Sequence, residues 1–425
     1  MDFENENQQK RVLLLMSPAT YRAGAFLSAA KKLKIEVIVG IDLPEQLSDY
    51  WHVPLGLDFL NPDASVRTIV EFVQKQPIHA IVSVDDSAVE IAARAGAALG
   101  LAHNSPQAAE AARDKLLMRT LMSEGDAPCP VFRPFSLSAD PAWIATQVTY
   151  PCVLKPLRLS GSRGVIRADN TSEFITAFHR LKRLLLSEGY AEEETSILVE
   201  DFIPGFEVAL EGIMTHGQLK VLTLFDKPDP LDGPFFEETI YVTPSRLSAK
   251  VQQNIAQCVA IAAASLDLRE GPVHAELRVN EQGPWMLEIA GRSIGGLCST
   301  VLEFGSGICL EELILRNAIG QEITSIEREQ HAAGVMMIPI PSAGMLKAVL
   351  GVEEAEQVPL ITGVEITAKL NHPLVPLPEG ATYLGFIFAR GDRPSEVEEA
   401  IRRAHGLLQF DIRREIPVCN RAIGY

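Results

Sequence analysis

Glu276 and Glu288 lie in the stretch GPVHAELRVNEQGPWMLEIAGRSIGG (271–296). Apolar and polar residues alternate on either side of Glu281-Gln282-Gly283, which predicts a β-hairpin with that three-residue loop and with Gly283 at its left-handed last position. This register sets Glu276 directly opposite Glu288. His274 and Arg278 share their face, and Val273, Ala275, Leu277, Val279, Trp285, Leu287 and Ile289 share the other. Carboxylates opposed on neighbouring strands repel each other. A divalent cation between them removes the conflict, because magnesium takes one or two carboxylates and completes its shell with water and substrate phosphates. The other reading is a solvent-facing hairpin whose charge pair Arg278 partly offsets. Just past the second strand, Arg292 is followed by Gly295 and Gly296. A guanidinium fork beside unhindered backbone N–H groups suits a carboxylate.

A second group stands in YPCVLKPLRLSGSRGVIRADN (150–170), where Lys155 closes an apolar strand. A buried lysine is costly unless paired, so an anionic partner is expected, or else the side chain snorkels to the sheet edge. The loop Ser160-Gly161-Ser162-Arg163-Gly164 offers hydroxyls, backbone N–H groups and a positive charge. These suit phosphate oxygens, and the glycines would let the loop close over a nucleotide and reopen. A Gly/Ser loop on its own also reads as a plain turn.

Several elements must position these groups. Over the first ~110 residues strands alternate with helices, which implies a parallel sheet covered on both faces. The loop after the first strand, MSPATYRAGAF, is not G-x-G-x-x-G, so a dinucleotide fingerprint is absent. One helix is predicted over 106–124, with Ser105 as N-cap, Pro106 in first position and Gly125 as its stop. Residues 131–200 read as strand, helix, strand, the loop, strand, helix, strand, the second helix capped at Thr171 or Ser172. Two strands broken at Pro204-Gly205 follow. From about 325 a third region carries strands in GVMMIPI, EITAKL and ATYLGFIFARG, then a helix in SEVEEAIRRAHGLL.

The 425 residues suggest two to four domains. A formal charge of -17 argues against nucleic-acid or anionic-membrane partners. No apolar run approaches the ~20 residues needed to span a bilayer, and the polar start MDFENENQQKR has no signal-peptide core. The six cysteines (Cys129, Cys152, Cys258, Cys298, Cys309, Cys419) include no C-x-x-C pair, which favours reduced thiols and a cytoplasmic location over disulfides or zinc.

Taken together, VLKP…SGSRGV, LVEDFIPGFE and HAELR…MLEIAGR resemble the ATP-grasp superfamily, from about Ala109 to Gly296. Within it the chain looks most like the L-amino-acid ligases, a group that includes carnosine-synthase-like, dipeptide-forming enzymes. Their tail pattern appears as Glu288, Arg292, Gly295 and Gly296. The resemblance implies an α/β and α+β chain with the ATP-grasp fold: an N-terminal Rossmann-like (pre-ATP-grasp) domain over 1–108, a small lid subdomain with a linker helix over 109–203, a larger subdomain over 204–324 and a small C-terminal α+β domain over 325–425.

It also implies roles. Lys115 and Lys155 would touch ATP phosphates, and Ser160, Gly161, Ser162 and Gly164 would cover them. Glu200, Asp201, Phe202 and Ile203 would form the adenine hinge, and Glu207 would hold the ribose. Lys227 would add a phosphate or substrate contact. Glu276 and Glu288 would hold magnesium or manganese, and Arg292, with Gly295 and Gly296, would grip the acyl group. Lys115 also reads as a surface helix lysine, and Glu207 and Lys227 as solvated loop charges. The implied reaction is ADP-forming ligation of a small-molecule carboxylate, an amino acid or its relative, to an amine through an acylphosphate. The resemblance leaves room for a homodimer. Ala290 stands where D-alanine–D-alanine ligases carry an asparagine, which points away from that subgroup and towards the amino-acid ligases. A structural role is the favoured reading of His274. Other readings are a bicarbonate-activating ATP-grasp carboxylase and a non-catalytic nucleotide-binding protein.

Overall fold

The computed structural model of the chain describes residues 9–44, 47, 53–305, 307–323, 328 and 331–414. Residues 1–8 of the polar start, Cys419 and the expected boundary at 324/325 lie outside the described residues.

The N-terminal sheet consists of β1 (Arg11–Met16), β2 (Glu36–Asp42), β3 (Leu55–Leu57) and β4 (Ala80–Ser83), parallel in the order β3-β2-β1-β4. Val12, Leu13, Leu14, Leu15 and Met16 are all buried, the continuous apolar run that a parallel strand covered on both faces requires. The loops leaving the C-terminal ends of β1 and β4 carry Tyr21 and Asp86. Ligand crevices form at this end of open parallel sheets.

The helix expected over 106–124 is two helices, Pro106–Ala111 and Lys115–Glu124. The break lies at Asp114, whose carboxylate accepts hydrogen bonds from the N–H groups of Leu116 (3.0 Å) and Leu117 (3.1 Å) and so caps a fresh helix start.

A four-stranded antiparallel sheet follows: β5 (Phe132–Ser136), β6 (Cys152–Pro156), β7 (Ile166–Ala168) and β8 (Ser196–Asp201), in the order β5-β8-β6-β7. The helix Thr171–Ser187 covers one face, with Phe174, Phe178 and Leu181 packed among Cys152, Leu154 and Ile197. Its cap is Asn170, one residue before the expected position, and Glu173 reaches back to Asn170.

The largest sheet has eight antiparallel strands. They are β9 (Phe206–Thr215), β10 (Gln218–Lys227), β11 (Ile240–Thr243), β12 (Gly271–Asn280), β13 (Gly283–Ala290), β16 (Ala332–Ile338), β18 (Ile361–Ile366) and β20 (Gly385–Gly391). Their order is β13-β12-β9-β10-β11-β16-β20-β18, so the β11–β16 pairing carries the sheet across the region of residue 325. The strand expected in EITAKL lies earlier, ending at Ile366. Small ladders pair β14 (Glu303–Phe304) with β15 (Ile308–Cys309), and β17 (Gly344–Leu350) with β19 (Pro373–Leu374) and β21 (Gln409–Arg413). One face of β9 and β12 buries Val208, Leu210, Val273, Ala275 and Leu277 against Ile255 and Val259 of the helix Ala249–Ser265. The other face carries Glu207, Glu211, His274, Glu276 and Arg278, as the period-2 alternation of a strand dictates.

The hairpin turns differently from expectation. Its loop has two residues, so Asn280 pairs with Gly283 and Leu277 with Met286. A bulge at Leu287 then inserts one residue and restores Glu276 opposite Glu288. In consequence Met286, not Trp285 or Leu287, joins Leu277 and Ile289 in the core. Trp285 pairs with Arg278, and Leu287 faces the cavity described below. Among the described residues no helix is long and apolar enough to cross a membrane.

Candidate active site

A cavity of about 280 Å³ is walled by the four-stranded sheet, the polar face of the eight-stranded sheet and the loop after β1. Lys155 reaches it from the last turn of β6. Its ammonium lies 2.6 Å from Glu200 Oε2, and Glu200 Oε1 lies 2.7 Å from Arg119 Nε. The anion that a buried lysine requires is therefore Glu200 on the neighbouring strand. Burial pushes the Lys155 ammonium below its usual range, against the pull of Glu200. Burial also pushes Glu200 up, but Arg119 and Lys155 outweigh it and hold the carboxyl below its usual range.

Lys115, first residue of its helix, is buried and donates to Leu159 O at 2.8 Å, with Glu288 Oε1 at 3.5 Å. It lines the cavity with Ser160, Gly161 and Ser162. Gly164 does not. It faces Leu181 and Leu184, and its N–H is taken by Pro378 O at 2.8 Å. Asp201, Phe202 and Ile203 line the cavity beside Glu200. The guanidinium of Arg167 stands 4.1 Å from the centre of the Phe202 ring, and Ile203 O accepts from Arg278.

Four acidic side chains crowd the polar face of the large sheet. Glu207 accepts from Lys227 Nζ at 3.0 Å and from Arg278 Nε at 3.1 Å. Lys227 also lies 2.7 Å from Glu238 and 3.4 Å from Glu276, with its charge over the ring of Tyr241. Burial alone would lower the Lys227 pKa, but Glu238 and Glu276 hold it well above the usual range. Lys227 is thus enclosed by carboxylates and is not among the residues lining the cavity. Burial pushes Glu238 up, and neighbouring Glu276 adds to the shift. Glu276 sits at about 2: burial would raise it, and Lys227 and His274 more than reverse that. His274 bridges Glu211 and Glu276, the latter at 3.2 Å, and its pKa is raised to about 9 because these carboxylates outweigh burial. Glu211 in turn accepts from the N–H of Ile294 at 3.1 Å. This chain of contacts ties Glu276 to the segment that carries Arg292.

Arg292 lines the cavity with Gly295 and Gly296. Its Nε is 3.4 Å from Asp86 Oδ1, and one terminal nitrogen donates to Ser293 O at 2.9 Å. Gly296 has φ +58, and a Cβ there would stand 3.0 Å from the Phe386 ring. Beyond it Tyr383, Met337 and Cys298 form an apolar end wall. Glu238, Asp86, Glu211 and Arg119 take part in these contacts without belonging to any motif in the sequence. Arg119 did leave a signal, because it stands four residues after Lys115 and so shares its helix face.

Residues 148–301 match the ATP-grasp domain, and residues 336–413 match the L-amino acid ligase C-terminal domain 2. The chain thus carries an ATP-grasp domain followed by an L-amino acid ligase C-terminal domain. Among known proteins the likeness includes ligases and a synthase. The chain is 24% identical to the alanine–anticapsin ligase of Bacillus subtilis over 67% of its own length and 64% of that protein. It is 25% identical to the dapdiamide A synthase of Enterobacter agglomerans over 57% of each chain. The L-amino acid ligase of Bacillus licheniformis superposes with a TM-score of 0.77 at 23% identity, covering 96% of this chain and all of that one. The fold is therefore that of an ATP-grasp protein whose C-terminal region is of the L-amino acid ligase type.

Proposed function

We propose that this protein is a ligase that joins the carboxylate of an amino acid to an amine in two half-steps. In the first, a carboxylate oxygen attacks the γ-phosphorus of ATP and ADP departs, leaving an acylphosphate. In the second, the amine nitrogen attacks the acyl carbon, phosphate departs and the nitrogen loses a proton. One observation carries the reading: a single cavity is lined both by Lys115, Lys155 and the glycine loop and by Arg292 with two glycines. The first set suits a triphosphate, and the second suits the acyl group next to it. The protein's task is then positioning and charge neutralisation, as in phosphoryl transfer generally.

In this reading Lys115 and Lys155 neutralise phosphate oxygens, and residues 160–162 cover them. Residues 200–203 face adenine, and Glu207 keeps lone pairs for the ribose. Lys227 holds Glu207, Glu238 and Glu276 in place and does not meet phosphate itself. Glu276 and Glu288 fit a magnesium or manganese ion: both are oxygen donors open to the cavity, directly paired across the strands. Such an ion would neutralise charge on phosphate oxygens. Glu207, Glu238 and Glu276 also bring oxygens within 4.8 Å of one another, but the Lys227 ammonium already stands among them. The apolar end wall favours an acid with a side chain over bicarbonate. The described cysteines are free thiols, which suits the reducing cytoplasm where ATP is plentiful.

The test measures ADP, phosphate and product mass with L-amino acids in pairs and with bicarbonate. Equimolar ADP, phosphate and amide are expected from an amino-acid pair. ATP turnover that responds only to bicarbonate would overturn the reading.

A further inference from the structure

The segment 376–383 connects the two ends of the cavity. At its start it holds the glycine loop. Gly164 N–H donates to Pro378 O at 2.8 Å, and Arg163 Nε donates to Glu379 O at 2.7 Å. The Glu379 carboxylate takes a two-pronged contact from Arg180, through Nε at 2.6 Å and a terminal nitrogen at 2.8 Å. Arg180 lies on the helix Thr171–Ser187, against which the glycine loop packs. Its guanidinium stands over the Phe235 ring, 4.7 Å from the centre. The segment then turns tightly at Gly380, where a Cβ would fall 1.8 Å from Val375 O. Directly after the turn, Ala381, Thr382 and Tyr383 line the cavity, and Tyr383 packs on Phe386. Leu384 then joins the large sheet through a hydrogen bond to Ile338 O at 2.9 Å.

A strap anchored in the large sheet therefore touches the phosphate-covering loop with one part and the acyl end of the cavity with the next. A bidentate Arg–carboxylate pair fixes direction as well as distance. The turn at Gly380 leaves little freedom between the two parts, so a displacement of Thr382 or Tyr383 is passed on to Glu379. Contiguous hydrogen bonds and packed side chains of this kind can carry coupling between two sites where the linking element has two arrangements.

We infer that Glu379 is a positioning residue: through Arg180 and the strap 376–383 it holds the glycine loop closed over the nucleotide when the acyl end is filled. The inference rests on the ligase reading for what fills the cavity. Its consequence is economy of ATP. A closed loop excludes water from the γ-phosphate and from the acylphosphate, so phosphate release stays matched to amide formation. With the latch cut, water gains access and the two separate.

Two measurements test this. The first is the ratio of phosphate released to amide formed. In Glu379→Ala this ratio is expected to rise about threefold or more over wild type, with the thermal midpoint nearly unchanged, as for a lost gating contact. Arg180→Gln, which cuts the same pair from the helix side, should do the same. The exchanged pair Glu379→Arg with Arg180→Glu should bring the ratio back towards wild type, which loss of mere packing would not do. The second is hydrogen exchange of residues 159–166 with a non-hydrolysable ATP analogue bound. Exchange is expected to be faster in Glu379→Ala than in wild type. A wild-type ratio in both single variants, or equal exchange in Glu379→Ala and wild type, overturns the latch. If wild type forms no amide from any pair, the ligase reading fails, and the exchange measurement still decides the latch.

Discussion

Arg292 Nε lies 3.4 Å from Asp86 Oδ1, and the same carboxylate is 3.4 Å from Arg113 Nε. Asp86 follows β4 of the parallel sheet, whereas Arg292 follows β13 of the eight-stranded sheet. The contact aims the guanidinium fork across the junction between the two. Burial pushes the Asp86 carboxyl up, but Arg292 and Arg113 hold it below its usual range, so it stays charged.

Arg292→Lys keeps the charge and loses the planar fork. Amide formation should fall by two decades or more, roughly 3 kcal/mol in the barrier, while calorimetry shows unchanged affinity for an ATP analogue. Phosphate and amide should fall together if Arg292 acts in the first half-step. Full activity in this variant would contradict the acyl-gripping role.

Glu276→Gln or Glu288→Gln removes one of two opposed oxygen donors. Turnover at saturating magnesium should drop by about two decades or more, with the fold intact by circular dichroism. Wild-type turnover in either variant would sink the metal assignment.

Glu200→Gln leaves Arg119 and Lys155 buried without their anion. Loss of one partner of a buried ion pair typically costs about 3–5 kcal/mol, so chemical denaturation should show a clear fall in midpoint. Lys155→Ala should instead be read in weaker binding of an ATP analogue or slower single-turnover chemistry. An unshifted midpoint in Glu200→Gln would show that Glu200 is not the anion on which the lysine depends.

Arg22 joins Glu311 at 2.7 Å, and Ser299 shares the carboxylate, so this buried pair clamps the segment that follows Arg292. Burial raises the Glu311 pKa, and the Arg22 charge and hydrogen bonds more than reverse it, leaving the folded value below 4.5. A group lowered on folding contributes stability above its unfolded pKa and loses it as pH falls through the folded value. Unfolding free energy should therefore decline as pH drops below 4.5, and Glu311→Gln should flatten that acid limb. Denaturation curves over this range provide the check.

Gly296 and Gly295 should respond differently to alanine. At Gly296 the backbone is left-handed and a Cβ would meet Phe386, whereas at Gly295 nothing lies within 4 Å. Gly296→Ala should cost about 1–2 kcal/mol of stability and raise KM for the acid. Gly295→Ala should leave stability nearly unchanged. Equal thermal shifts in the two variants would refute the close approach to Phe386.

The sequence by itself determined what depends on neighbouring residues. The apolar run and lysine of β6, the glycine loop, and the alternation that puts His274, Glu276, Arg278 and Glu288 on one face were all legible. Each is set by local sterics and a repeat of two or a few residues. Even so, alternation alone makes the hairpin loop one residue too long, and the expected carboxylate pairing stands only because of the bulge at Leu287. Tertiary structure alone decided the partners. Glu200 meets Lys155 because β8 lies between β5 and β6, and Lys227 meets Glu276 because β9 separates β10 from β12 by a single strand. Asp86 meets Arg292, and Glu379 meets Arg180, from opposite ends of the chain. Such meetings follow from strand order and the closing of one sheet on another. A charged side chain carries no local mark of the distant group that will neutralise it once both are buried.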